Sequence, residues 1–298
     1  MTGSTDALCA ELSEFCRFWS FSKDGLQEII ERHGCAPNHP GINNYDFFHL
    51  ACENKNVTEG ILQYLLEYFP DAASAIAEGD LTPLHVICFK KHATLGMVQL
   101  LIDASPDSLH HSNQFGLTPL HCLCYNRYTD GEVKLEILKL LLEKCPESHA
   151  DSFGSHPIHI AARFQSAEFC RMLIDAYHGS ERMTCSEGVL PFHWACRNAQ
   201  TNTTAEYLYG IYPESIDVEC IGHYPINWAM MGIIRQSPGE PGEPEPEPGT
   251  AVKILRFLLD CDPNVASQKK VRGELPLYYA CRKYRPNNLR QSVSYMIP

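Results

Sequence analysis

At 298 residues the chain is long enough for two ordinary domains or one long repeat array. Its 44% hydrophobic and 20% charged residues exclude a wholly disordered chain, and no apolar run approaches the roughly 18 residues of a membrane span. A formal net charge of -12 would repel phosphates, so neither nucleic acid nor membrane is expected as a partner.

The segment Met1 to Ser22 carries Asp6, Glu11 and Glu14, with no basic region leading into an apolar run, so no secretory signal is expected. A repeat begins shortly after. Phe47-Phe48-His49 is followed by Thr82-Pro83-Leu84-His85 and by Thr118-Pro119-Leu120-His121. Weaker copies follow at Pro157-Ile158-His159, Pro191-Phe192-His193, Pro225-Ile226-Asn227 and Pro276-Leu277-Tyr278. The steps are 36, 36, 38, 34, 34 and 51 residues. A second motif keeps the same phase: an apolar pair before a proline, as in Leu65-Leu66 before Pro70, Leu101-Ile102 before Pro106 and Leu208-Tyr209 before Pro213.

Thr82 and Thr118 are suited to cap a helix, and a proline at the first helical position loses nothing by lacking its N–H. Each copy therefore opens a short helix. The apolar pairs belong to a second helix, which the later proline stops. Turn formers such as Asn113-Gln114-Phe115-Gly116 and Asp151-Ser152-Phe153-Gly154 separate the units. The last long step holds Ser237 to Gly249, with five prolines and four glutamates in thirteen residues. Such a segment is expected to be disordered and solvated. It reads as a tolerated loop, as a docking strand for a proline-binding domain, or as an acidic flap.

With Thr-Pro-Leu-His and the glycines three residues before the motif proline (Gly116, Gly154, Gly188, Gly222, Gly273), the chain resembles the ankyrin repeat family. The resemblance implies an all-α solenoid of stacked helix–turn–helix units with connecting β-turn fingers. It implies about seven repeats over 44–298, preceded by N-terminal capping helices within 1–43. Two departures stand out: the second helix ends in proline and not Gly-Ala, and the units exceed the usual 33 residues.

Fourteen cysteines first suggest a secreted, disulfide-bonded protein. The repeat register places Cys52, Cys88, Cys124, Cys196 and Cys281 where the family has a small alanine, and cysteine acts there as a small hydrophobe. Stacked helices lie about 8–10 Å apart, beyond the roughly 7 Å reach of a disulfide. Reduced thiols and a cytoplasmic or nuclear location follow. By the same resemblance His49, His85, His121, His159 and His193 bond backbone across repeats. With no Cys-x-x-Cys and no His-Glu-x-x-His in the chain, no metal, cofactor or catalytic residue is expected.

The function expected is therefore protein binding by an adaptor, scaffold or inhibitor, monomeric and not an enzyme. The alternative is a metal- or redox-responsive protein using the surplus thiols Cys122, Cys145, Cys170, Cys185 and Cys220. In the family, partners lie along the concave side, against finger tips and the exposed ends of first helices. Carried over, the tips include Phe115, Phe153 and Ile221. The helix row runs Glu53, Asn54, Phe89, Lys90, Tyr125, Asn126, Arg163, Phe164, Arg197, Asn198, Met231 and Gly232, then Arg282 and Lys283. Arginine and aromatic residues dominate binding hot spots, so the row is expected to grip an acidic and apolar segment of another protein. Basic residues near a helix C-terminus are also favoured by the helix dipole whatever their function, and aromatics could fold back between repeats. Trp194 and Trp228, one register earlier, are expected to pack semi-buried against the next unit.

Overall fold

The computed structural model describes residues 2–18, 21–37, 45–145, 149–197, 202–234, 250–268 and 275. The insertion 237–249, the motif from Pro276 onward and Asn198 lie outside the described residues. The chain falls into two compact units, Met1–Ser152 and Phe153–Pro298.

The first unit pairs helix α1 (Thr2–Arg17) with α2 (Lys23–Arg32), α3 (Asp46–Glu53) with α4 (Glu59–Tyr68), α5 (Pro83–Phe89) with α6 (Leu95–Ala104), and α7 (Pro119–Tyr125) with α8 (Gly131–Lys144). The first helices stack in sequence, α1 on α3, α3 on α5 and α5 on α7; α2, α4, α6 and α8 stack likewise. The second unit repeats the scheme with α9 (Pro157–Phe164) and α10 (Ala167–Ala176), α11 (Pro191–Arg197) and α12 (Thr203–Ile211), and α13 (Pro225–Ile234) and α14 (Thr250–Cys261), followed by α15 (Val265–Gln268). Among the described residues there is no strand, only isolated bridges Ala77–Leu81 and Cys220–His223 inside fingers.

Local chemistry starts each helix. The second helices begin on short polar side chains that accept an otherwise orphaned amide: Thr58 from Ile61 N at 3.3 Å, Thr94 from Met97 N at 3.2 Å and Ser166 from Phe169 N at 3.2 Å. Their apolar stripes then face the first helices. Phe47, Phe48, Leu62, Leu65 and Phe69 fill the core of one repeat, and Phe169, Leu173, Phe192 and Leu208 do so in the second unit.

The proline after the second helix does more than stop it. Helices α4, α6 and α12 end at Tyr68, Ala104 and Ile211, and after one intervening residue Pro70, Pro106 and Pro213 each open a short 3-10 turn. Fixed φ and a missing N–H suit a first helical position, and Asp71, Asp107 and Glu214 follow in the first turn, where the dipole favours an acid. These turns bury Ala72, Ala73, Ser108, Leu109, Ser215 and Ile216. The longer repeat length thus buys an additional packed turn rather than a loose loop.

Fingers are tied to their neighbours through backbone. Gln114 N donates to Gly79 O at 3.1 Å and Ser152 N to Phe115 O at 2.9 Å; in the second unit Ser186 N donates to Phe153 O at 3.1 Å. Gly116 and Gly154 have φ of +74° and +70°, and a Cβ would meet the next finger's amide nitrogen at 2.6 and 2.8 Å. Both the left-handed turn and the close approach demand glycine there.

Candidate functional site

The motif histidines act as two-ended clasps. In His85 the Nδ1 accepts from Thr82 N at 3.3 Å and Nε2 reaches Leu117 O, on the next finger, at 2.9 Å. His159 uses His156 N (3.1 Å) and Val189 O (3.1 Å), and His193 uses Leu190 N (3.3 Å) and Val218 O (3.1 Å). An amide on one nitrogen and a carbonyl on the other fix the neutral tautomer with the proton on Nε2. Burial holds all three imidazoles down to about 4, chiefly because the charged form would be desolvated. These histidines are structural, which leaves the helix ends and finger tips as the surface to examine.

In the first unit that surface is aromatic. Phe89 closes α5 with 47% of its surface exposed, and Phe115 at the finger tip has 51%. Tyr125 ends α7 half-buried. Tyr128 is a further exposed aromatic that the repeat register did not single out. Lys90 follows Phe89, but its Nζ lies 3.3 Å from Glu53 Oε1 on the preceding repeat, so its charge is balanced locally.

Asn126 departs from the expected partner row. It is wholly buried. The two N–H donors of its Nδ2 are shared among Cys88 O at 2.9 Å, Lys90 O at 3.0 Å and Thr129 Oγ1 at 2.8 Å. Its Oδ1 accepts from Tyr128 N at 3.0 Å and Thr129 N at 3.1 Å. Asn54 stands in the same register, bonding Cys16 O at 2.8 Å and Phe18 O at 2.9 Å. Both tie the end of a first helix to the repeat before it, because the carbonyls at a helix C-terminus lack intrahelical donors. The recurrence of Asn at 54, 126 and 198 was a sequence signal for this role.

In the second unit the finger tip Phe153 is 67% exposed. Arg163 and Phe164 end α9 and Arg197 ends α11, all half-buried, and both guanidiniums lie over aromatic rings. Trp194 is half-buried and Trp228 buried, as the packing expectation had it. Ile221, on the finger after that of Ser186, is largely exposed with φ +51°, a strained value for a β-branched residue. Each unit thus carries its own aromatic surface, and at the first-helix ends of the second the Arg163 and Arg197 guanidiniums lie over rings.

A model of the family described as Ankyrin repeats matches residues 48–133, 91–181 and 129–220, together more than half of the chain. The chain belongs to the ankyrin repeat family. Ankyrin repeats generally mediate protein–protein interaction. A stretch of 79 residues, 26% of this ankyrin-repeat chain, is 35% identical to the tyrosine-protein kinase Shark of Drosophila melanogaster; the chain spans only 8% of that relative's length.

The family register also explains the thiols. Cys52, Cys88, Cys124 and Cys196 are buried between the paired helices, and burial drives Cys88 and Cys196 well above the usual thiol range. Among the thiols left over, burial pushes Cys122 up to about 12 and Cys220 up to about 11, and raises Cys170 as well. Such thiols stay protonated and react slowly. Cys145 Sγ sits 3.6 Å from His110 Nδ1. Among the described residues no group of three or more His, Cys, Asp or Glu side chains is arranged to hold a metal ion, and no helix is long and apolar enough to cross a membrane.

Proposed function

We propose that this ankyrin-repeat chain is a non-catalytic adaptor, scaffold or inhibitor in which each unit binds other proteins through its own first-helix ends and finger tips. The observation that carries this reading is the set of large aromatic side chains held out in solvent at those positions: Phe89, Phe115 and Phe153. Folding gains nothing from an exposed phenylalanine, whereas a partner covering it gains roughly 25 cal/mol for each Å² of apolar surface removed from water. The half-buried Arg163 and Arg197 add positive charge to an otherwise acidic chain, which favours a partner segment bearing acidic as well as apolar residues. A monomer working in the cytoplasm or nucleus accords with the free state of the cysteines among the described residues.

Affinity capture with the full chain, followed by quantitative mass spectrometry, tests the reading. Proteins retained by the wild type are expected to be lost from a variant carrying Phe89→Ser, Phe115→Ser, Arg163→Glu and Arg197→Glu whose circular dichroism is unchanged. Retention of the same proteins by that folded variant refutes it.

A further inference from the structure

Of the cysteines among the described residues, only Cys9, Cys35 and Cys261 are not buried. Two of these three belong to the N-terminal helix pair, Cys9 on α1 and Cys35 just beyond the end of α2. Neither is part of the buried core. The contacts between the two helices set these thiols opposite each other. Near the connection a Cβ on Gly25 would stand 2.2 Å from the Phe15 ring. Further along, Glu11 Oε2 lies 2.8 Å from His33 Nε2, and Glu11 Oε1 bonds the Arg32 guanidinium. Going back along α1 from Phe15 to Glu11 thus means going forward from Gly25 to His33, the alignment of an antiparallel pair. Two residues further in the same sense, Cys9 meets Cys35.

The spacing of packed helices, which keeps the core cysteines beyond disulfide reach, does not separate this pair. Helix α2 ends at Arg32, Gly34 turns left-handed at φ +66°, and the Cys35 amide bonds back to Ile30 O at 3.1 Å. Cys35 therefore stands where the chain leaves the helix axis. The chain goes on to α3, which packs on α1. Burial chiefly, and then the charges of Asp6, Cys35 and Asp46, raises the Cys9 thiol, so all three groups are near it. Cys9 thus faces both the end of α2 and the start of α3.

We propose that Cys9 and Cys35 are an oxidation site: a hydroperoxide converts the pair to a disulfide that ties α1 to the end of α2, and a thiol reductant reverses it. Cys35, raised by burial alone, reacts first. As the thiolate it attacks one peroxide oxygen. An S–O bond forms, the O–O bond breaks, and the other oxygen leaves as water or an alcohol carrying the thiol proton. The Cys9 sulfur then attacks the Cys35 sulfur; the S–S bond forms, the S–O bond breaks, and hydroxide leaves with the Cys9 proton as water. Two electrons pass from the two sulfurs to one peroxide. The polar ties from α1 to α2 are the partly exposed ion pairs of Glu11, which contribute little. A disulfide closing a loop of about 26 residues restricts the unfolded chain far more, so oxidation fastens the N-terminal pair to the first unit.

The test treats the reduced full chain with a small excess of hydrogen peroxide, blocks remaining thiols under denaturing conditions and maps the digest by mass spectrometry without reduction. A peptide pair joined through Cys9 and Cys35 within one chain is expected. The melting temperature should rise by about 5–10 °C, and dithiothreitol should undo both changes. Cys9→Ser and Cys35→Ser, each at a half-buried position, should melt like the reduced wild type and gain nothing from peroxide. Phenylarsine oxide, which bridges neighbouring thiols, measures their proximity without oxidation. It should protect Cys9 and Cys35 together from iodoacetamide in the wild type, and protect the remaining thiol in neither serine variant. Recovery of the two cysteines unlinked after peroxide, or linked only between chains, overturns the proposal. Arsenical protection without a disulfide overturns it as well, since the thiols would then be neighbours that do not oxidise together.

Discussion

Replacing Asn126 by alanine separates a structural clasp from a partner contact. The substitution removes two N–H donors, shared among Cys88 O, Lys90 O and Thr129 Oγ1, and the acceptor for the amides of Tyr128 and Thr129. Not all of the loss is uncompensated. Thr129 Oγ1 still donates to Lys90 O at 3.0 Å, and Tyr128 N is only partly buried, so water can replace its acceptor. Cys88 O and Thr129 N remain as buried groups without a replacement. At roughly 1–3 kcal/mol for each such group, the first unit should lose about 3–4 kcal/mol. For a unit of this size that corresponds to a fall of about 10 °C in melting temperature. Thermal unfolding of the full chain followed by far-ultraviolet circular dichroism measures it. A melting curve superimposable on the wild type would refute the clasp and return Asn126 to the partner face.

Acid should weaken both units. Histidines whose folded value is near 4, against about 6.5 when unfolded, bind fewer protons in the native state between those limits. Their contribution is complete above pH 6.5 and falls as the pH drops toward 4, by about 1.4 kcal/mol per pH unit for each of His85, His159 and His193; urea midpoints that do not differ between pH 7.5 and 5 would contradict this. Gly154→Ala should cost about 2–4 kcal/mol, because a Cβ there strikes Ser186 besides adopting φ +70°. Gly188→Ala, at φ +76° in open space, should cost only about 1 kcal/mol, and equal losses in paired urea titrations would show that finger contact is unimportant. Iodoacetamide at pH 8 should leave Cys88, Cys122, Cys170 and Cys196 unlabelled in the native chain, since burial keeps them protonated. Mass mapping that finds them modified as fast as the less buried Cys9 and Cys35 would overturn that assignment.

What a repeat register can convey, the sequence conveyed fully. Two motifs in phase located the helix pairs, because a proline at a helix start and an apolar pair facing a partner helix are local requirements legible in any one copy. The resemblance to the ankyrin family, laid on that register, implied helix–helix packing for the cysteines and backbone bonding for the histidines. It could not tell which residues at one register face solvent. Phe89 and Lys90 look alike in sequence position to Tyr125 and Asn126, yet Phe89 stands exposed while Asn126 is wholly buried. The difference arises from what the preceding repeat offers, here the orphan carbonyls at the end of α5, and only tertiary stacking brings those within reach. The contacts of Arg163 and Arg197 with Trp194 and Trp228 have the same origin. The four residues were visible separately in two registers, but their meeting depends on the offset between neighbouring helices, set where the Arg197 carbonyl approaches Gly232 and by no single segment of the chain.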